Sequence, residues 1–476
     1  MKRVFGLLIL LLLIFLISHN YAQQEDKKNE SLWEGKLDAG AIELRIVVRL
    51  YQNEDGSIYG FMDSPDQNVK DIKIGEIVIT TDSIAFKVPS IMGSYSGMKV
   101  ADGDSITGTW TQAGRDFKLG LKKVEKITEL KRPQTPQPPF PYQVEYATIP
   151  NKDAGIELSG TITSPMENGK YPAVVMVTGS GPQDRDETIF SHKPFWVIAD
   201  YLTRHGIVVL RYDDRGFGKS TGNFASATSL DFTSDALSAV EFLKTRNDVD
   251  PKKIGIIGHS EGGLIAPMAA NNSSDVAFIV LLAGPGLQGS ELLKKQAALI
   301  MKSNGRTDEE IVKALKKVNE TYNIILNEPD SLTAYKMLED SFQKDLSEMS
   351  DEEKNKPENS RSSFEISVKT LLSPWFRFFL KYDPKPTLEN IRIPVLALNG
   401  EKDLQVPPKE DLDAIKEALT AAGNKNFKIV EFPGLNHLFQ HIKNGTIQEY
   451  GQLEETFSPD VLKVMGDWIN EVTKSM

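Results

Sequence analysis

From Ile42 to Leu50 apolar residues fall at every even position, the period-two pattern of a strand with one face in a core. Shorter runs of the same kind recur at Ile58 to Met62, Ile77 to Thr80, Ile84 to Val88 and Ile106 to Trp110, with turn pairs such as Asp55-Gly56 and Asp102-Gly103 between them. Short strands separated by glycine turns predict a small antiparallel barrel or sandwich over residues 30–126. The alternation ends in Pro133-Gln-Thr-Pro-Gln-Pro-Pro-Phe-Pro141. Prolines fix φ, so this stretch predicts an extended Pro-rich linker over 127–142.

Beyond the prolines the pattern changes. Tyr171 to Val177, Ile207 to Leu210, Ile254 to Ile257, Ile279 to Leu282, Ile393 to Asn399 and Phe427 to Phe432 are apolar with little alternation. Strands buried on both faces read this way, as in a mostly parallel sheet with helices on each side. Helical spacing lies between and after them, at Gly263 to Ala270 and Val461 to Thr473. Roughly a hundred residues separate Leu282 from Ile393, too many for a structureless loop in a compact domain. Glu291 to Met301, Asp308 to Leu326 and Ser363 to Leu372 have helical spacing, which predicts a helical cap inserted over 287–388. Asp351 to Arg361 is rich in charge and reads as a solvated loop.

Chemistry enters at the ends of the apolar runs. Gly258-His259-Ser260-Glu261-Gly262 closes one run and opens the next, the strand, sharp turn and helix of a nucleophile elbow. A serine hydroxyl is a weak nucleophile and must be presented to a base, while glycines around it let helix and strand close up. The base and its orienting acid are expected downstream in the order acid, then histidine. Asp403 follows the run ending at Asn399, with Glu401 as a local rival. His437 follows the run ending at Phe432. Of the six histidines, His19 lies in the leader, His192 and His205 precede the serine, His259 is the elbow's variable position, and only His441 competes. Thr178-Gly179-Ser180-Gly181-Pro182 follows another run, and such small residues let main-chain N–H groups approach a ligand. The amides of Ser180 and Glu261 are the candidate oxyanion donors. Gly179, Gly181, Trp375 and Phe376 are candidate lining for a substrate pocket, with the cap's own core as the other reading of Trp375 to Phe379.

With these motifs, Gly179 to Asp186, Arg211 to Ser220, the elbow, Leu398 to Asp403 and Gly434 to His437, roughly residues 145 to 476, within a domain read over 143–476, resemble the serine esterase branch of the α/β-hydrolase superfamily. The resemblance extends to exported bacterial carboxylesterases and to serine aminopeptidase S33-like hydrolases preceded by a β-module. It implies an α/β-hydrolase fold and hydrolysis of carboxylic esters, short acyl chains among them, through Ser260, Asp403 and His437. One departure is Thr178, where a histidine often opens the oxyanion loop; the loop's bracing then differs while its donors do not. Arg211 to Ser220, with Asp213 and Arg215, reads as a buried ion-pair and turn network, and Arg185 and Asp186 as loop braces. Identical triads serve peptidases and acyltransferases, which stand as alternatives, with a non-catalytic envelope binding protein behind them.

Composition narrows the setting. The chain has 55 Lys and Arg against 66 Asp and Glu, a formal charge of −11, so nucleic acid is not an expected partner. Lys2 and Arg3 precede the apolar stretch Val4 to Ile17, and Ala22 offers a small residue for cleavage. This is the pattern of a signal peptide over 1–22 and predicts a periplasmic or secreted protein with no stable membrane span once the leader is removed. Cysteine is absent, which excludes disulfides, thiolate metal sites and a cysteine-linked lipid anchor. Neither a cofactor nor a metal is expected, and the expected partner is a small-molecule ester.

Overall fold

The computed structural model describes residues 30–38, 43–65, 69–91, 93–100, 103–112, 115–128, 131–354 and 359–476. The signal peptide read over 1–22 lies outside the described residues.

The N-terminal unit is one nine-stranded antiparallel sheet in the order β4-β3-β2-β1-β9-β8-β7-β6-β5. The strands are β1 (Glu30–Asp38), β2 (Glu43–Gln52), β3 (Ile58–Ser64), β4 (Val69–Ile74), β5 (Ile77–Ile79), β6 (Ser83–Val88), β7 (Gly93–Lys99), β8 (Ser105–Gln112) and β9 (Arg115–Val124). Its outer strands are consecutive in the chain, parted only by Gly75 and Glu76. At that corner Gly75 N–H donates to Lys87 O at 2.8 Å and Lys87 N–H to Glu76 O at 3.0 Å. The chain therefore passes from pairing with β3 to pairing with β6, and the sheet curls into a near-closed barrel whose exposed edges almost vanish. Trp33, Ile46, Val48, Phe86, Tyr95, Trp110 and Leu119 fill it. Both tryptophans are core residues, and the buried Tyr95 hydroxyl finds the Leu119 carbonyl at 3.1 Å.

The proline-rich stretch is no free spacer. Arg132 donates to the carbonyls of Phe190, Gly451 and Leu453, each at 2.8 Å. The Gln134 side chain donates to Phe457 O at 2.7 Å and accepts from Thr456 N–H at 2.5 Å. An arginine and an amide flanking the prolines satisfy loop groups that the C-terminal unit would otherwise leave open.

That unit carries eight strands, β10 (Tyr142–Asn151), β11 (Ile156–Pro165), β12 (Tyr171–Val177), β13 (Val208–Tyr212), β14 (Val249–His259), β15 (Phe278–Leu282), β16 (Val395–Gly400) and β17 (Phe427–Phe432). Their order is β10-β11-β13-β12-β14-β15-β16-β17, with β11 antiparallel to both neighbours and all pairs from β13 onward parallel. This is the α/β-hydrolase fold. On one face Phe232, Ala236, Ile265, Leu412 and Ile415 pack from helices Ser229–Lys244, Gly262–Asn272 and Pro408–Ala421. On the other face Phe195, Leu202, Met465, Trp468 and Ile469 pack from helices Pro194–Arg204 and Pro459–Lys474.

The cap runs through helices Gly289–Ser303, Asp308–Asn327, Ser331–Ser347, Asp351–Lys354, Arg361–Leu371, Pro374–Lys381 and Lys385–Leu388. Asp351 to Arg361 thus begins as a short helix, contrary to the loop expected there; residues 355–358 lie outside the described residues. Thr307 and Glu310 form a reciprocal capping box that sets the start of the longest cap helix.

Candidate active site

Ser260 sits between β14 and the helix Gly262–Asn272 with φ +53°, a left-handed conformation that ordinary side chains avoid. Its N–H is held by Leu282 O of the neighbouring strand at 2.8 Å. The two elbow glycines are steric necessities. A Cβ on Gly258 would stand 1.9 Å from Gly262 O, and one on Gly262 would stand 2.2 Å from Val177 O. The turn is so tight that strand, helix and the neighbouring strand leave no volume for a methyl group.

Asp403 lies just past β16 and His437 just past β17, at the same edge of the sheet as the elbow. His437 Nδ1 is 2.7 Å from Asp403 Oδ2, and both side chains are almost wholly buried. The other carboxylate oxygen accepts from the Gln405 and Val406 amides at 2.7 and 2.9 Å. Those bonds fix the carboxylate, and the carboxylate fixes the ring with a proton on Nδ1, which leaves Nε2 as the basic atom. The rivals stand elsewhere: Glu401 is exposed and accepts from Gly434 N–H, and His441 is exposed and paired with Glu455. Ser260 Oγ makes no hydrogen bond among the described residues.

The loop after β12 is braced from below. Thr178 Oγ1 donates to Asp214 Oδ1 at 2.8 Å and the Gln183 amide to Asp214 Oδ2 at 2.9 Å. Burial drives the Asp214 carboxyl well above the usual carboxylate range. Arg185 grips Asp213 through Nε and a terminal nitrogen at 2.8 and 2.6 Å and reaches Ser159 and Thr161. Arg211 pairs with Asp186, and Arg215 with Asp235 at 2.7 Å. All of these are bracing contacts. The Gly179 N–H is spent on Glu187 Oε1 at 3.0 Å, while the Ser180 and Glu261 N–H groups have no acceptor among the described residues. Gly181, at φ +92°, makes the bend that follows.

Three side chains escaped the sequence reading. Glu187 is buried and accepts from Gly179 and from His259 Nδ1, at 3.0 and 2.8 Å. The other His259 nitrogen faces the His437 carbonyl at 3.0 Å. The Glu261 carboxylate is buried against the cap: Ser229 Oγ donates to it at 2.6 Å and Trp375 Nε1 to both its oxygens at 2.9 Å. Burial raises its pKa, and the Ser229, Trp375 and Ser180 hydrogen bonds oppose that rise. Trp375 thus faces the elbow, beside Leu264, Met268, Leu292, Phe379 and Val406. Phe376 does not: it is buried in the cap's own core with Val318, Tyr322 and Leu380, so that pocket assignment gives way to packing. On one turn of helix, neighbouring residues point to different faces. Among the described residues, no group of three or more acidic or histidine side chains could hold a metal, and no helix is long and apolar enough to cross a membrane.

The model of the family described as serine aminopeptidase, S33 matches residues 194–441, a span holding Ser260, Asp403 and His437. The chain belongs to this family. Among curated relatives of this S33 member, esterase EstD of Thermotoga maritima is 30% identical over 300 residues, 63% of this chain and 62% of EstD. The chain therefore spans less than two thirds of that relative's length. A thiohydrolase of Arthrinium phaeospermum, apmlB, is 32% identical over 139 residues, 29% of this chain and 41% of the relative. Among solved structures, an esterase of Pyrococcus furiosus aligns with a TM-score of 0.44 at 16% identity, over 73% of this chain and 99% of that one.

Proposed function

We propose that this protein hydrolyses carboxylic esters of small molecules by acyl transfer through Ser260. His437 Nε2 takes the Ser260 proton as Oγ attacks the substrate carbonyl carbon. Asp403 stabilises the imidazolium, and the Ser180 and Glu261 amides bind the oxyanion. The imidazolium then protonates the departing alcohol. Water, deprotonated by His437, releases the carboxylic acid and restores the serine.

The observation that carries the reading is the buried 2.7 Å His437–Asp403 bond at the sheet edge where the left-handed Ser260 is presented. Resemblance to EstD favours an ester, and short acyl chains rest on resemblance alone. The family's name points to aminopeptidases, which must capture an ammonium group. Glu261, the carboxylate beside the nucleophile, is already taken up by Ser229 and Trp375, which favours the ester. Export belongs to the same proposal and rests on Lys2, Arg3 and the apolar stretch Val4 to Ile17.

The test is turnover by the protein and its Ser260→Ala variant on nitrophenyl esters of rising chain length, beside aminoacyl nitroanilides. Ester cleavage lost in the variant is the expected result. Amide cleavage with little ester cleavage would make the protein a peptidase, and activity that survives in Ser260→Ala would overturn the mechanism.

A further inference from the structure

Beside the Asp403–His437 pair lies a second histidine–carboxylate pair that the mechanism leaves unused. Glu187 and His259 are 72 residues apart, and their side chains are 1% and 5% exposed. Their bonds run to three separate parts of the site. Glu187 Oε1 takes the Gly179 N–H of the oxyanion loop, His259 belongs to the elbow, and His259 Nε2 holds the backbone carbonyl of His437. The two imidazole rings stand 4.8 Å apart between centroids.

The hydrogen-bond pattern assigns the protons. A carbonyl oxygen only accepts, so Nε2 of His259 carries a proton. Nδ1 faces a carboxylate oxygen, which in its ionised form also only accepts. A ring donating at both nitrogens is an imidazolium, and the Glu187 carboxylate 2.8 Å away is the group that would balance its charge. Burial alone would lower the His259 pKa, yet the Glu187 carboxylate and the His437 carbonyl leave it above the ordinary histidine value. The titratable groups facing this ring are Glu187, the neutral His437 ring and, farther off, Asp403. Glu187 is held in place at some expense: it is one of the few non-glycine residues with positive φ, +51°.

We propose that Glu187 and an imidazolium His259 are positioning residues that lock the His437 backbone and the Gly179–Ser180 loop into a single register with Ser260. The inference rests on the proposed acyl-transfer reading. Proton transfer at His437 and oxyanion binding at Ser180 both demand correct placement, and a displacement of about 1 Å can lower rate on the order of 10²-fold. Both side chains are buried, so the effect belongs to kcat and not to binding.

Two measurements test it. In the first, Glu187→Gln is assayed against the parent: kcat is expected to fall about 10²-fold with KM within about twofold. An unchanged kcat, or a loss confined to KM, would overturn the proposal. The second needs no turnover. In 15N-histidine-labelled Ser260→Ala protein near neutral pH, both His259 ring nitrogens are expected at protonated-type shifts, with assignment by a His259→Gln variant. Adding Glu187→Gln should return the ring to a neutral tautomer. A neutral His259 with Glu187 intact would overturn the assignment. Because the spectrum is recorded without the nucleophile, it stands or falls apart from the ester reading, which Ser260→Ala kinetics decide.

Discussion

The indole N–H of Trp375, in the cap, donates to both carboxylate oxygens of Glu261, the residue after Ser260, at 2.9 Å each. A single side chain therefore ties the inserted helices to the element that presents Ser260. Removing the donor while keeping an aromatic ring leaves Glu261 with Ser229 and Ser180. A buried carboxyl that loses one of its donors costs on the order of 1–3 kcal/mol. Trp375→Phe is expected to lower the melting temperature by several degrees and to change the ratio of kcat/KM between short and long acyl esters. Calorimetry and the nitrophenyl ester series check the two halves. An unaltered chain-length ratio would confine Trp375 to holding the cap.

Asp403 offers a sharper test because its two oxygens have different work. Oδ1 is committed to the Gln405 and Val406 amides, and Oδ2 faces His437 Nδ1. In Asp403→Asn the side-chain oxygen must stay on those amides, which turns the new NH2 toward Nδ1. That ring nitrogen must then accept, the proton moves to Nε2, and the base is gone. The expected loss in kcat is on the order of 10⁴-fold, with little change in thermal stability. Steady-state kinetics alongside a melting curve distinguishes this tautomer effect from unfolding.

The three residues of the proposed triad could be picked out of the sequence for a local reason. Ser260, Asp403 and His437 each follow a continuous apolar run within a few residues, so finding the strand ends finds the candidates. Glu187–His259 and Glu261–Trp375 join positions 72 and 114 residues apart, and neither periodicity nor a turn signal relates their members. His259 even counted as the elbow's variable position, although its ring bridges two loops. The strand Arg115–Val124 was missed although Phe117, Leu119 and Leu121 alternate with Lys118, Gly120 and Lys122, and Leu119 and Leu121 are buried in the barrel. Phe376 shows the opposite failure, an aromatic next to Trp375 in the chain but buried in the cap's own core.

Asp411 carries the last expectation, on pH. It lies in the first turn of helix Pro408–Ala421, and its Oδ1 receives the Gly286 and Leu287 amides, at 2.7 and 3.1 Å, where the chain leaves the sheet for the cap. Its other oxygen is buried with no partner, and burial pushes the pKa up to about 7. The unfolded chain would titrate this group near 4, so between about pH 4 and 7 the folded state binds the extra proton. This group's contribution to stability is therefore largest in acid, falls as pH rises through that window, and is level above it. Asp411→Asn keeps an oxygen for the two amides and mimics the protonated acid at every pH. The variant is expected to match the parent near pH 4 and to be more stable at pH 8 by on the order of 1–3 kcal/mol. Melting curves of both proteins at the two pH values measure the difference, and a gap that fails to widen toward pH 8 would show that Asp411 stays ionised at little cost.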